Sequence, residues 1–260
     1  MGHIHLAVLP QTKKWREVVD LLTSGAADTD VMAASAIAAE RELANAANDV
    51  VFIEALRLLF MIPFAARSKE FGRSLNEFGL DVPAEPHLVD LVLSVSQRLD
   101  LLAAAPGNRT DFGELSGRAV IAALSTHIGD ALPGLFEATP ADVQSAARRL
   151  SWQSGISDLA RSFFGRLLSD SLSTWLSRTL STHVGEGRRF FNSSNRADFE
   201  RALEQYTREA TRMIKEFAPG WYGKRLHLDG QITTESATVF GAVAFKKITE
   251  ELRRKRDADG

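Results

Sequence analysis

Two arginines are followed directly by two phenylalanines in a glycine-rich stretch near residue 190. Arg188, Arg189, Phe190 and Phe191 follow the G-E-G sequence of residues 185–187. Guanidinium groups bind phosphate oxygens, and aromatic rings stack on unpaired bases, so the stretch predicts a nucleic-acid contact. The alternative for the two phenylalanines is that they dock the loop onto the hydrophobic core, and we prefer this alternative.

Two further patches combine basic and aromatic side chains. Trp221 and Tyr222 lie close to Lys224 and Arg225 in a predicted loop bounded by glycines, and the last predicted helix ends in a basic run that carries Lys246, Lys247, Arg253, Arg254, Lys255 and Arg256. Core packing explains the aromatic pair equally well, and the basic run also suits the negative end of a helix dipole. The candidate nucleic-acid contacts are Arg188, Arg189, Phe190, Trp221, Tyr222, Lys224, Arg225, Arg253, Arg254 and Arg256.

Catalytic and metal-binding patterns are absent from the sequence. The six histidines form no H-x-x-x-H pair, and no glutamate precedes one of them at E-x-x-H spacing. The chain has no G-x-S-x-G, Walker A or Rossmann motif, and it has no cysteine for a thiolate nucleophile, a zinc–thiolate site or a disulfide. In a strand, His3 and His5 would point the same way and bind a metal ion weakly, but an incidental pair is the better interpretation. We therefore predict no catalytic residue, no metal ligand and no cofactor.

The composition is that of an ordinary globular protein. Of 260 residues, 45% are hydrophobic and 25% are charged, and the net charge is −2, so nucleic-acid binding would depend on local patches. The longest apolar stretch, residues 50–66, includes Glu54, Arg57 and Pro63, which favours a buried helix with two paired charges over a membrane span. No secretory signal is recognisable at the N-terminus, so we expect a cytoplasmic protein that does not bind membranes.

The elements that must position these residues are helices. Apolar residues recur at helical spacing along most of the chain, and good start signals stand at Thr12, at Thr139-Pro140 and from Asn195 to Asp198. We predict an all-α protein, an irregular multi-helix bundle of about nine or ten helices. Residues 3–10 alternate as a short extended N-terminal arm whose apolar face docks on the protein or on a partner, and residues 225–229 favour a short strand.

The clearest turn of the chain, A-P-G-N-R-T-D, suggests a boundary between two halves. The predicted units are an N-terminal helical half, residues 1–105, and a C-terminal helical half, residues 106–260, or else one continuous domain. In the second half, LSTHIGD at residues 124–130 is echoed by LSTHVGE at residues 180–186. The echo indicates either an internal duplication or the convergence of two helix C-termini on His and Gly, and we prefer convergence.

Three functions remain open on this evidence. Abundant helical surface without a catalytic motif favours a non-enzymatic protein–protein interaction module, a subunit or adaptor of a larger bacterial-type complex. The alternative is a nucleic-acid-binding accessory subunit of a DNA- or RNA-processing or phage-defence complex. The third is a metal-dependent hydrolase without a recognisable motif. In the first case other protein subunits are the partners, and the sequence does not give the oligomeric state.

Overall fold

The computed structural model describes residues 12–134 and 137–259, and for residue 178 and residues 255–259 it describes the backbone alone. The predicted arm at residues 3–10 lies outside the described residues, as does the side chain of Arg256.

The all-α prediction is confirmed. Helices account for 77% of the chain, and the described residues contain no strand, only an isolated bridge between Val184 and Phe190. Eleven helices occupy the described part of the chain: α1 (Lys13–Ser24), α2 (Asp28–Ala46), α3 (Val50–Ala65), α4 (Phe71–Glu77), α5 (Leu88–Ala103), α6 (Asp111–Gly129), α7 (Pro140–Leu150), α8 (Gln153–Thr182), α9 (Ser193–Ala210), α10 (Ile214–Asp229) and α11 (Thr234–Asp259).

Helix α10 accounts for the difference from the predicted number of helices. The prediction of a loop with a short strand at residues 225–229 is wrong, because α10 runs through both and encloses Pro219. A proline inside a helix leaves the carbonyl four residues earlier without its usual donor. Here that carbonyl belongs to Lys215, and the Ser157 hydroxyl donates to it at 3.0 Å. Tertiary contact thus compensates for a residue that usually ends a helix.

Side-chain caps fix where several helices begin. The hydroxyl of Thr12 accepts from the backbone N–H of Trp15, and Thr139 forms a capping box with Asp142 ahead of Pro140, as the sequence predicts. The predicted start of α9 at Asn195 is wrong by one turn. Asn192 caps this helix instead, because its side-chain oxygen accepts from the N–H groups of residues 194 and 195.

Helix α3 lies at the centre of the hydrophobic core. Nearly all of its residues are buried, and Phe52 meets aromatic rings of α6, α8 and α11 at centroid distances of 5.3–6.3 Å. Gly241 lets α11 approach, since a Cβ there would lie 2.6 Å from the Phe52 ring. The two predicted charges are paired, with Arg57 donating to the buried carboxylate of Glu54 at 2.7 Å.

The core runs continuously across residues 105 and 106. Helices α3 and α2, before that point, pack against α6 and α11, after it, within one cluster of buried side chains. His127 lies in the last turn of α6 and His183 directly follows α8, so both members of the sequence echo do lie at helix C-termini. None of the described helices is long and apolar enough to cross a membrane.

Candidate binding groove

Arg189 anchors the loop between α8 and α9 to the rest of the protein. The Arg189 side chain is only 7% exposed; its guanidinium pairs with Asp28 at the start of α2 at 2.6 Å and lies over the rings of Phe190 and Phe199. Arg188 is exposed and donates to the carbonyl of Thr182 at 3.2 Å. Of the two predicted phosphate contacts in this loop, Arg188 is therefore the accessible one.

The two neighbouring phenylalanines have opposite environments. Phe190 is 3% exposed and packs on Phe199 with centroids 5.6 Å apart, whereas Phe191 is 70% exposed. The Phe190 ring thus has the core-docking geometry that the sequence left open as an alternative to base stacking. A ring that stacks on a base must reach solvent, and in this loop that ring is Phe191.

The second patch lies on α10 rather than in a loop. Trp221 packs on Phe240 at 4.5 Å and Tyr222 on Phe60 at 5.8 Å, so both rings contribute to the core. Burial raises the pKa of the Tyr222 hydroxyl strongly, although nearby Arg67 opposes the shift. Lys224 is exposed, and Arg225 pairs with Asp229 at 3.4 Å.

The third patch is partly neutralised by carboxylates. Arg253 forms hydrogen bonds with both oxygens of Glu40 on α2, and Arg254 pairs with Glu251 at 2.7 Å. Asp28 and Glu40, which anchor Arg189 and Arg253, are roughly 18 Å apart along α2 at 1.5 Å per residue. The structure therefore places the predicted contacts in separate patches.

A different surface holds the larger of two cavities described, a groove along α8 with a volume of about 730 Å³. Helices α6 and α9 both pack on α8 and form its walls. From Asp158 to Ser173 the lined part of α8 spans roughly 22 Å at 1.5 Å per residue. We call this surface the α8 groove; it is lined by Ala122, Ala123, Thr126, His127, Asp158, Arg161, Ser162, Gly165, Arg166, Ser169, Asp170, Ser173, Ala197, Glu200, Arg201, Glu204, Arg208 and Lys215.

Small side chains form the floor of the α8 groove. Ser162, Gly165, Ser169 and Ser173 recur every three or four residues and so share one face of α8. The opposite face carries Phe163, Phe164, Leu167, Leu168 and Leu172, all completely buried in the core. One helix therefore presents a large apolar face inward and a face of small residues to the groove.

Cations gather at one end of the α8 groove, next to His127. Lys215 pairs with Asp158, and Arg208 pairs with Glu204 at 2.7 Å. Arg161 donates to the backbone carbonyl of Arg208 at 3.1 Å, while its Nε is buried without a hydrogen-bond partner in the described structure. Burial also lowers the pKa of His127, which outweighs the opposing effect of nearby carboxylates and leaves the imidazole neutral at pH 7.

Asp170, Glu200 and Glu204 line the other end together with Arg166 and Arg201, so carboxylates are in a small majority there. Burial raises the pKa of Asp170, and the neighbouring Glu204 raises it further, against the opposing charges of Arg166 and Arg118. The Nε of Arg166 lies 3.6 Å from the Asp170 carboxylate, which is a long ion pair. The α8 groove thus has a basic end and an acidic end, and residues with shifted pKa values in a cleft are typical of functional sites.

None of the α8 groove residues was predicted as a site from the sequence. The available signal was the three- to four-residue recurrence of small side chains within the long helix that the sequence did predict. Charged residues of α9, such as Glu204 and Arg208, fit the usual pattern of a solvated helix face with i, i+4 pairs. Their position beside α8 depends on packing that no local pattern encodes.

Among the described residues, no group of three or more His, Asp or Glu side chains is arranged to hold a metal ion. Comparison of the chain with protein-family models, with curated proteins and with solved structures finds no match in any of the three.

Proposed function

We propose that this chain is a non-enzymatic helical interaction module, a cytoplasmic subunit or adaptor of a larger complex, and that the α8 groove receives a helix of a partner protein. The observation that carries the proposal is the shape of the groove, a trough about 22 Å long whose floor is made of small residues. Helix axes pack 8–10 Å apart depending on the side chains between them, so a floor of serine and glycine permits close approach.

Charge complementarity defines the partner further. The groove is basic near Arg161 and Lys215 and acidic near Asp170 and Glu204. A docking helix of about four turns, roughly 15 residues, spans this distance. Its acidic residues belong at the His127 end and its basic residues at the Asp170 end, with small or aliphatic residues on the face toward α8. Opposite charges in this order fix the direction of the helix.

A site-specific photo-crosslinking experiment tests this proposal. A photoreactive amino acid replaces Ser173 in the groove or, as a control, Arg73, an exposed residue of α4, and the full chain is expressed in its native cells. We expect Ser173 to crosslink one helical segment of one partner, with the charge order given above. Recovery of the same segment from both positions, or of unrelated segments from the groove, contradicts the proposal.

A blocking substitution provides the second arm. Ser173→Trp fills the groove, while Ser96→Trp introduces the same ring at another half-buried helical serine, on α5. With the crosslinked segment as a synthetic peptide, we expect S173W to abolish binding and S96W to leave it intact. Equal affinity for both variants, with unchanged circular dichroism spectra, would show that the partner binds elsewhere.

A second candidate function is that of a nucleic-acid-binding accessory subunit, such as part of a DNA- or RNA-processing or phage-defence complex. It is favoured by one observation, the exposed Phe191 ring close to the exposed Arg188. A filter-binding titration at low salt tests it. Binding should weaken steeply with salt and on Arg188→Glu, because phosphate contacts release counterions. Absence of binding to any DNA or RNA removes this candidate for the isolated chain.

A further inference from the structure

The basic end of the α8 groove contains a guanidinium that the protein itself does not satisfy. Arg161 forms no ion pair with a carboxylate of the described residues, and its Nε, although buried, has no hydrogen-bond partner there. A buried donor without an acceptor costs free energy, and each such group in a folded protein calls for an explanation. Arg161 therefore carries a charge that no carboxylate of the described residues compensates, and the oxygens of an anionic ligand that enters the groove can compensate it.

The surroundings of Arg161 select the chemistry of that ligand. Arg208 and Lys215 line the same end but pair with Glu204 and Asp158, so Arg161 is the cation of the three that has no carboxylate partner among the described residues. Thr126 and Ser162 line the same cavity with hydroxyl groups that donate hydrogen bonds without adding charge. A planar guanidinium with adjacent N–H donors matches two oxygens of a carboxylate or a phosphate.

We infer that Arg161, Arg208 and Lys215 form an oxyanion-binding site at the His127 end of the α8 groove, which takes a phosphate or carboxylate group of its ligand. The three cations outnumber the carboxylates of Asp158 and Glu204 with which two of them pair, and this excess positive charge disfavours an amine or a metal ion there. This inference is independent of helix docking, since a small anion fits the end of the groove whether or not a helix occupies the rest.

Titration of the full-length protein with inorganic phosphate, and separately with acetate, tests the site. Ionic strength is held constant with sodium chloride, and the melting temperature is followed. A ligand that binds the native state alone stabilises it by RT ln(1 + [L]/Kd), so the melting temperature rises with the logarithm of the ligand concentration above Kd. We expect a rise in melting temperature with this logarithmic dependence for at least one of the two anions, and the anion with the lower Kd identifies the source as phosphate or carboxylate. A change no larger than that with chloride for both anions overturns the inference.

Variants localise the effect. Arg161→Gln should weaken anion affinity by about 10-fold or more, the equivalent of one charge-assisted hydrogen bond. Arg73→Gln, which removes an exposed arginine outside the groove, should leave the affinity unchanged. Equal affinities for R161Q and R73Q would contradict the assignment.

A spectroscopic measurement covers the case in which R161Q folds poorly. The Nε–H resonance of Arg161 in a ¹⁵N spectrum, assigned with Arg161→Lys, should shift during the phosphate or acetate titration with the same affinity as the thermal shift. The Nε–H resonance of Arg73 should not move. An unchanged Arg161 resonance at saturating anion overturns the site without recourse to the glutamine variant.

Discussion

Two charged clusters of this protein differ in how completely their polar groups are satisfied. In the core, the carboxylate of Glu54 is 6% exposed and accepts from Arg57 at 2.7 Å and from Arg98 at 2.9 Å, and Arg57 also donates to the carbonyl of Phe78 at 2.8 Å. In the α8 groove, Asp170 has only a long ion pair, and the Nε of Arg161 has no partner in the described structure.

The pKa shifts of the two carboxylates record this difference. Burial opposes ionisation of both side chains. For Glu54, the hydrogen bonds and charges of Arg57 and Arg98 outweigh burial, so its pKa lies below the ordinary value. For Asp170, burial prevails, so its pKa lies above it. The Glu54 cluster stabilises the fold and offers nothing to a ligand, whereas the groove retains unsatisfied groups that a ligand can satisfy.

Disrupting the Glu54 cluster should have the largest effect on the unfolding free energy. Glu54→Gln leaves two guanidinium groups around a neutral amide, and loss of one partner of a buried ion pair costs about 3–5 kcal/mol of unfolding free energy. The control, Glu77→Gln, removes one of the two carboxylate partners of the exposed Arg73 and should cost less than about 1 kcal/mol. Urea denaturation measures both. If E54Q loses as little unfolding free energy as E77Q, the Glu54 cluster does not stabilise the fold.

A contrast between a buried and an exposed side chain also distinguishes Phe190 from Phe191 in the loop before α9. Phe190→Ala removes a buried ring and should lower the unfolding free energy by about 3 kcal/mol. Phe191→Ala, at an exposed position, should change it by less than about 0.5 kcal/mol. Thermal or urea unfolding measures both. If the two variants are equally stable, the loop does not depend on Phe190 for docking.

In the α8 groove, removal of the Asp170 charge should change the unfolding free energy less, and in the opposite direction. A carboxyl whose pKa is raised by folding stabilises the native state while protonated, and this stability is lost as the pH rises through its native pKa. Asp170→Asn removes that loss, so we expect a gain of roughly 0.2–1 kcal/mol at pH 7, the range of exposed charge effects. The gain should vanish below pH 3.8, the ordinary pKa of Asp. Destabilisation at pH 7 would instead mean that the pair with Arg166 dominates.

The sequence predicted the helices well and the groove not at all, for reasons that particular residues make clear. The caps at Thr12 and Thr139 are local, because each donor lies three residues from its acceptor. The helix around Pro219 could not be predicted, since the hydroxyl that compensates for the proline comes from Ser157, 58 residues away from the acceptor in the chain.

A site formed by residues far apart in the sequence is equally hard to predict. Arg161 resembles any arginine on a polar helix face until α9 packs beside α8 and brings Arg208 to it, 47 residues further along the chain. The contact between the two residues is a property of two helices packed together. Aromatic and basic runs such as residues 188–191 were visible in the sequence because they are contiguous, and contiguity does not show which ring is buried.

The smallest expected effect is the pH dependence that His127 contributes. Burial lowers the pKa of His127 below its ordinary value of 6.5, so protonation favours the unfolded chain. The stability that depends on the neutral imidazole is complete above pH 6.5 and is lost as the pH falls through the native pKa. His183 shifts in the same direction, through burial and the charges of Arg188 and Arg189. We therefore expect the wild-type protein to lose stability between pH 7 and pH 5, and His127→Gln to make that slope shallower.

The experiment separates this contribution from the carboxylates. Glu54 titrates below its ordinary pKa of 4.5, outside the window, and Asp170 contributes a slope of the opposite sign, so the histidine variants are best compared in an Asp170→Asn background. Urea midpoints at half-unit pH steps should give the steepest loss for D170N alone, an intermediate loss for H127Q or H183Q in that background, and the shallowest for the triple variant. Identical slopes for D170N and D170N/H127Q would mean that His127 accepts its proton in the folded groove as readily as in the unfolded chain, and that the basic end of the groove is wetter than its geometry indicates.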